Sequence, residues 1–392
     1  MLSAVSSSTQ DSKDVVNTSK RFTFVAAAVT LTLVTAACGS SKKSTATTAA
    51  PPTTAAAATT AATATTSASK LSGTLDSSGS TFVQAFLQEG ISRFTKANPG
   101  VTINYAGGGS GTGRQNLADG TVAFAGTDGT IAAADLPKYK GGKVLYFPVV
   151  VAPITLSYNL KGVTSLQLSP DTIAKIFQRT VKTWNDPAIA ADNPGATLPG
   201  TDITVVHRQE SSGTTGNFTK FLDLASGQAA SGVWLLGSGS TVEWSPDTKS
   251  GTGNGQVAQV ITSTDGAIGY VDLADAVKAK LTFASVKNKA GKFVAPTLDA
   301  ASAAVAGATI AADLTFSAIW ATGDAAYPIT AQTWLITYAT QTNKGKGTSI
   351  REFVRYLLTD GQTFAPSVNY APLPVALATE AIAQLDQIVL PA

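Results

Sequence analysis

One stretch concentrates the groups that could do chemistry. "DITVVHRQESSGTTGNF", Asp202 to Phe218, carries His207, Arg208, Glu210 and a run of serines, threonines and glycines. His207 is the only histidine of the chain, so an imidazole-based enzyme would have to use it. It neighbours Arg208 on a strand-like run, which sends the two side chains to opposite faces, and His207 is read as structural. Two other stretches repeat the design of the turn after Arg208. "SSGSTF" runs from Ser77 to Phe82, and "GGGSGTG" from Gly107 to Gly113. Each lies between a strand-like run and a helix start. Small residues let an anion approach backbone N–H groups closely. The first N–H groups of a helix also lack partners inside the helix and carry its positive dipole end. Three such turns, one arginine and two nearby acids point to an anion ligand. Neither glycine run completes a dinucleotide GxGxxG or a phosphate-loop GxxxxGK[ST] pattern, which disfavours a nucleotide.

The elements that must position these turns alternate. "GTLDSSGS" reads as a strand and turn, and Phe82, Phe86, Leu87, Ile91 and Phe94 fall on one helical face that "ANPG" ends. "VTINYA" alternates as a strand, and "YFPVVVAPITLSYNL" is a long apolar strand region. In "SPDTIAKIF", Ser169 is placed to cap a helix with Pro170 at its first position. "DITVVHR", "GAIGYVDL" and "TWLITYA" read as strands; "TGNFTKFLDLA" and "SIREFVRYLL" read as helices. Strands alternating with helices predict an α/β protein with largely parallel sheets.

Composition narrows the function. The chain has 392 residues, enough for two domains with proper cores, and a formal charge of only +3. That balance argues against a nucleic-acid partner. The single cysteine, Cys38, excludes a disulfide or thiolate metal site within one chain, and one histidine makes a zinc site improbable. No cofactor and no metal are expected.

Cys38 has a different explanation. Lys20 and Arg21 precede an apolar run of 14 residues, Phe22 to Thr35, and "AACGS" follows. This is the layout of a secretory signal over residues 1–37. Its junction resembles the bacterial lipobox, with Thr35 where an aliphatic residue is usual, and that resemblance implies lipidation of Cys38. Two or more acyl chains, at about 0.8 kcal/mol per buried CH₂, would anchor the protein. Residues 38–70, rich in Ala, Thr, Ser and Pro, cannot bury enough apolar surface to fold and read as a tether. Losing residues 1–37 removes three cations and two acids and leaves a charge of +2. Any bound anion is then held by local geometry rather than a bulk field.

From about Leu71 onward the chain resembles the phosphate-binding proteins of bacterial ABC-type phosphate uptake systems. The pieces that carry the resemblance are "GSTF", "NYAGGGSGTG", "VAFAGTDG", "FPVVVAPITLSYNL", "LSPDTIAKIFQRTVKTWNDPAIAADNPGATLP", "ITVVHRQESSGTTGNFTKFL" and "DGAIGYVDLA", in the family's order. The resemblance implies a two-lobed periplasmic-binding-protein-like fold of type II, with two mixed or parallel sheets flanked by helices. Lobe I would take residues 71–152 and 327–392, and lobe II residues 153–326. "VVVAPIT" and "YPITAQT" would be the hinge strands. It implies Thr81 and Phe82 as phosphate donors, Phe82 through its N–H, with Ser110 from the second turn. Ser212, Gly213 and Thr214 would donate from the third. Arg208 would supply a forked guanidinium. Glu210, where the family usually has Asp, would orient Arg208. Asp128 would accept the proton that phosphate retains near neutral pH and that sulfate lacks. The alternative for Asp128 is an Asx-turn residue before Gly129, and for Glu210 a solvated acid. Arg114 is read as a helix-surface residue and Trp184 as packing.

The leading expectation is a monomeric, non-enzymatic solute-binding protein outside the plasma membrane. It would hand phosphate to the permease and ATPase subunits of an ABC importer. A serine hydrolase or phosphatase using Ser110 or Ser212 would lack a GxSxG elbow. A surface adhesin would need none of the three turns. The same fold could instead bind sulfate or molybdate.

Overall fold

The computed structural model describes residues 71–392. The secretory signal, Cys38 and the tether lie outside the described residues. The first elements follow the alternation read from the sequence: β1 (Gly73–Gly79), α1 (Gln84–Ala97), β2 (Val101–Gly108), α2 (Gly109–Ala118) and β3 (Phe124–Thr127). β1 pairs in parallel with both β2 and β3. Phe86, Leu87 and Phe94 form the buried face of α1. Phe82 is also buried but precedes the helix, and Ile91 sits at its half-buried margin.

β4 (Val144–Asn159) is the spine, 16 residues long and buried almost throughout. β5 (Gln167–Leu168), α3 (Pro170–Phe177) and α4 (Pro187–Asp192) follow it. Ser169 occupies the N-cap of α3 with Pro170 behind it, as read from the sequence. Its hydroxyl pairs with that of Thr172 at 2.9 Å rather than with a backbone N–H. Next come β6 (Thr204–Arg208), α5 (Gly213–Ser226), β7 (Lys249–Gly251), α6 (Gly253–Ser263), β8 (Ala267–Asp272), α7 (Leu273–Lys278) and β9 (Thr282–Phe283). β10 (Ser285–Lys287), β11 (Phe293–Val294), α8 (Leu298–Ala306), β12 (Thr330–Tyr338) and α9 (Lys344–Leu358) complete the elements that matter here.

Nine strands form one ladder in the order β2-β1-β3-β12-β4-β8-β6-β7, with β9 also on β4. A separate small sheet joins β11, β10 and β5. The flanks are parallel, as the alternation predicts. The centre is not: β12 runs antiparallel to β3 and β4, and β8 antiparallel to β4. β4 changes partner along its length. Val144 to Pro153 face β12, and Ile154 to Asn159 face β8. The change falls in "VAPIT", beside Tyr327, whose hydroxyl donates to the Ile154 carbonyl at 2.9 Å. Trp184 is fully buried and donates to the Gly266 carbonyl at 3.0 Å, a packing role.

Candidate anion-binding site

Parallel strands deliver their C-terminal ends, and the helix starts that follow, to one edge of a sheet, where ligands of open α/β sheets sit. β1 ends at Gly79 and leads to Ser80, Thr81 and Phe82. β3 ends at Thr127, directly before Asp128, and β6 ends on Arg208 itself. β2 passes straight into α2, so Ser110 lies in a first helical turn. Ser212 is the N-cap of α5, its Oγ accepting from the Thr215 N–H at 3.1 Å. Gly213 and Thr214 open that helix, where N–H groups have no partner within the helix.

Asp128 is 1% exposed, and hydroxyls surround its carboxylate. Ser80 Oγ donates to Oδ2 at 2.5 Å, Ser110 Oγ to Oδ2 at 3.2 Å and Thr333 Oγ1 to Oδ1 at 2.7 Å. Asn217 and Gln332 hold its main-chain carbonyl at 2.7 and 3.4 Å. Burial pushes the Asp128 carboxyl up from its ordinary value; the three hydroxyl bonds and the charge of Arg208 pull the other way and do not cancel it. Gly213 comes so close that a Cβ there would run into Asp128 Oδ2 and Ser110 Oγ. The second and third turns meet as tightly, the Gly111 N–H donating to the Ser211 carbonyl at 3.1 Å.

Arg208 forms the opposite pole and is 3% exposed. Glu210 Oε1 accepts from its Nε at 2.9 Å and also from Nη2, and Nη1 donates to Thr214 Oγ1 at 3.2 Å. Its backbone N–H donates to the Tyr270 hydroxyl at 3.0 Å. Burial works against the Glu210 charge, but the bonds and charge of Arg208 outweigh it and hold the carboxyl below its ordinary value. A guanidinium offers five N–H donors. Three bonds therefore still leave Nη1 and Nη2 hydrogens for a ligand.

Of the residues singled out in the sequence, Thr81, Ser110, Asp128, Arg208, Glu210, Ser212, Gly213 and Thr214 converge here. The Phe82 N–H is close by but donates to Ser80 Oγ at 3.0 Å. His207 points away, as expected. It stacks on Trp244 and bonds through its ring nitrogens to the Arg208 carbonyl and Thr248 Oγ1. Burial lowers its pKa, against a bond to the Arg208 carbonyl that raises it. Arg114 departs from the surface position expected of it. Its Nη1 donates to Thr127 Oγ1 at 2.9 Å, and it lines a cavity of about 370 Å³ shared with Asp128, Gly213, Lys220 and Gln332. The α2 face that carries Arg114 turns toward β3, which the sequence around "GTGR" does not signal.

Three residues of the cluster carried no expectation. Ser80 sits inside "GSTF" but is the residue that reaches Asp128. Thr333 comes from the middle of β12, where nothing local marks it. Asn254 links the turn after β1 to the first turn of α5: its Nδ2 donates to Thr81 Oγ1 and to Thr214 Oγ1, each at 3.2 Å. Its signal was present, because "GTGNG" is a fourth glycine-rich turn between a strand and a helix.

A buried guanidinium, helix-start N–H groups, clustered hydroxyls and one opposing acid at the ends of β1, β3 and β6 have the chemistry to hold a small oxyanion. A family profile described as "PBP superfamily domain" matches residues 48–361, and the chain belongs to that superfamily. Within it, the chain belongs to the phosphate-binding proteins. Phosphate-binding protein PstS of Methanocaldococcus jannaschii is 35% identical over 307 residues, covering 72% of this chain and 78% of the relative. That of Xylella fastidiosa is 32% identical over 309 residues, covering 78% and 82%. PstS 2 of Mycobacterium tuberculosis is 32% identical over 326 residues, covering 80% and 87%. Among solved structures, a high-affinity periplasmic phosphate-binding protein with phosphate bound shares the fold with a TM-score of 0.66 at 23% identity, over 80% of this chain and 94% of the other. A phosphate-binding protein from Stenotrophomonas maltophilia gives 0.64 at 22%, over 80% and 94%.

Proposed function

We propose that this protein binds inorganic phosphate outside the plasma membrane and delivers it to an ABC-type import permease, without chemistry of its own. The observation that carries the reading is Asp128. A bare buried carboxylate beside an anion is repulsive unless the pair shares a proton. Phosphate brings one near neutral pH and sulfate does not. Arg208, the Gly213 and Thr214 N–H groups and the hydroxyls of Thr81, Ser212 and Thr214 would hold the remaining oxygens, joined by Ser110 once its hydroxyl exchanges Asp128 Oδ2 for a phosphate oxygen, with Glu210 aiming the guanidinium. The Phe82 N–H would join them by exchanging Ser80 Oγ for a phosphate oxygen. Burial of the poles excludes water, which strengthens each charge-assisted bond.

Entry requires opening, since Ser110, Asp128, Arg208 and Thr214 are at most 3% exposed. Residues 71–152 with 327–392, and residues 153–326, would move as two lobes about β4 and β12. What supports this division is that β4 exchanges β12 for β8 at Pro153 and Ile154. The ligand would ride on a monomer tethered through lipidated Cys38; Cys38→Ser should release the protein from the membrane into the surrounding fluid, as a fractionation blot would read. Titration calorimetry with phosphate, arsenate and sulfate tests the function. Phosphate and arsenate should bind and sulfate should fail to compete. Equal binding of sulfate would contradict the reading.

A further inference from the structure

We propose that Asn254 aims two of the hydroxyl donors at the bound oxyanion, and is thus a positioning residue of the site. This rests on the phosphate-binding reading above. β7 runs parallel to β6 with Gly251 opposite Arg208, so the start of α6 lands beside the guanidinium. Gly253, at φ +71°, turns the chain into the helix, and its N–H donates to Glu210 Oε1 at 2.9 Å. Asn254 follows, fully buried.

A threonine hydroxyl has two lone pairs and one proton. Thr81 Oγ1 accepts from the Asn254 N–H at 3.3 Å and from Asn254 Nδ2 at 3.2 Å. Thr214 Oγ1 accepts from Arg208 Nη1 and from Asn254 Nδ2, both at 3.2 Å. Both oxygens are then saturated as acceptors, and each hydroxyl can act only as a donor. No protein acceptor takes either proton among the described residues. The Asn254 amide spends one hydrogen on each threonine, while its Oδ1 is buried without a partner. The reverse orientation of the amide would place Oδ1 between the two hydroxyls, accept both protons and leave the anion neither. Asn254 therefore decides whether Thr81 and Thr214 serve the ligand or the protein. It also joins the turn after β1 to the first turn of α5, so the aim is set only when both are in place.

The test is phosphate titration calorimetry from pH 8 to pH 5 on wild type, Asn254→Asp and Asn254→Ala, with thermal melts as a folding control. The carboxylate introduced by Asn254→Asp would mimic the reversed amide. Affinity should fall by about 100-fold or more at pH 8 and recover relative to wild type as that carboxyl protonates. Asn254→Ala should cost about 10- to 100-fold at every pH. In a Thr81→Val/Thr214→Val background the same Ala change should cost less than about twofold, because the hydroxyls it aims are gone. A residue that merely packs would give additive losses and no altered pH slope. Additive losses, or Asn254→Ala within about twofold of wild type, overturn the inference while the phosphate reading stands. A wild type that binds no phosphate overturns both. If Asn254→Asp does not fold, the Ala cycle decides alone.

Discussion

The two poles of the cluster solve different problems. At Arg208, a charge is paired with a charge: Glu210 neutralises the guanidinium and fixes its plane, and Thr214 takes a third bond. At Asp128, a charge is surrounded by neutral hydroxyls, each able to turn, and burial raises the carboxyl above its ordinary value. The first arrangement is held by three bonds and, as proposed, would attract any small oxyanion. The second is sensitive to a single proton. On the phosphate-binding reading proposed above, affinity would be concentrated at one pole and discrimination at the other, the two coupled only through the charge of Arg208 acting on the Asp128 carboxyl.

Removing Arg208 should break the affinity pole. Arg208→Ala is expected to weaken phosphate by at least about 100-fold, since truncating one side of a buried charged contact also strands its partner, and calorimetry would read it. Near-normal binding would move the anion elsewhere. The discrimination pole should respond to pH instead. Above the raised Asp128 value the carboxylate is ionised and repels sulfate; below it, the protonated acid can donate to a sulfate oxygen. Sulfate binding should therefore strengthen as pH falls and carry a proton with it, visible as heats that depend on the buffer's ionisation enthalpy. A flat profile would dissociate Asp128 from selectivity. Glu210→Ala should cost a smaller factor, about 10- to 100-fold in phosphate affinity, without admitting sulfate; a gain in sulfate binding would mix the two roles.

Asp272 gives the smallest and most distant check. It is buried at the end of β8 like Asp128 at the end of β3, but only Oδ1 has a partner, the Asp275 N–H at 3.0 Å. Burial first, then the Asp275 charge, hold its carboxyl well above the ordinary value. Its contribution therefore counts against the folded state increasingly as pH rises above the carboxyl's ordinary value, in full above the raised value, and vanishes in acid below the ordinary value. Asp272→Asn keeps the cap and should raise the melting temperature by about 2 °C or more at neutral pH. The advantage should close as pH falls. A lower melting point at neutral pH would show that the charge itself stabilises the helix start.

Much of this was legible because it is local. The turns after β1 and β6 and the passage from β2 into α2 announce themselves as glycine-rich steps between strand and helix. Arg208 is fixed to a strand end by short-range pattern, whereas Asp128 is picked out only by the family resemblance, since "TDG" alone reads as an Asx-turn. What was hidden is long-range. Thr333 reaches Asp128 from 205 positions away along the chain, and no neighbour in sequence distinguishes it from any other threonine on a buried strand. The antiparallel centre escaped for the same reason: β4 ends at Asn159 and meets β12 only from Thr330 on, so the alternation of strands and helices predicted a more parallel sheet. Asn254 is a different case. "GTGNG" has the design of the other three turns, but an asparagine follows its inner glycine where the others carry a serine or threonine. An asparagine that serves hydroxyls rather than ligand leaves no mark of its own.

The division of labour between the poles is tested most directly by calorimetric titration of Asp128→Asn with sulfate and phosphate at neutral pH. If Asp128 excludes sulfate from wild type, sulfate should bind the variant with an affinity near that for phosphate, so that a discrimination on the order of 10⁴ or more collapses. A variant that still rejects sulfate while binding phosphate would show that the proton is read somewhere other than at Asp128.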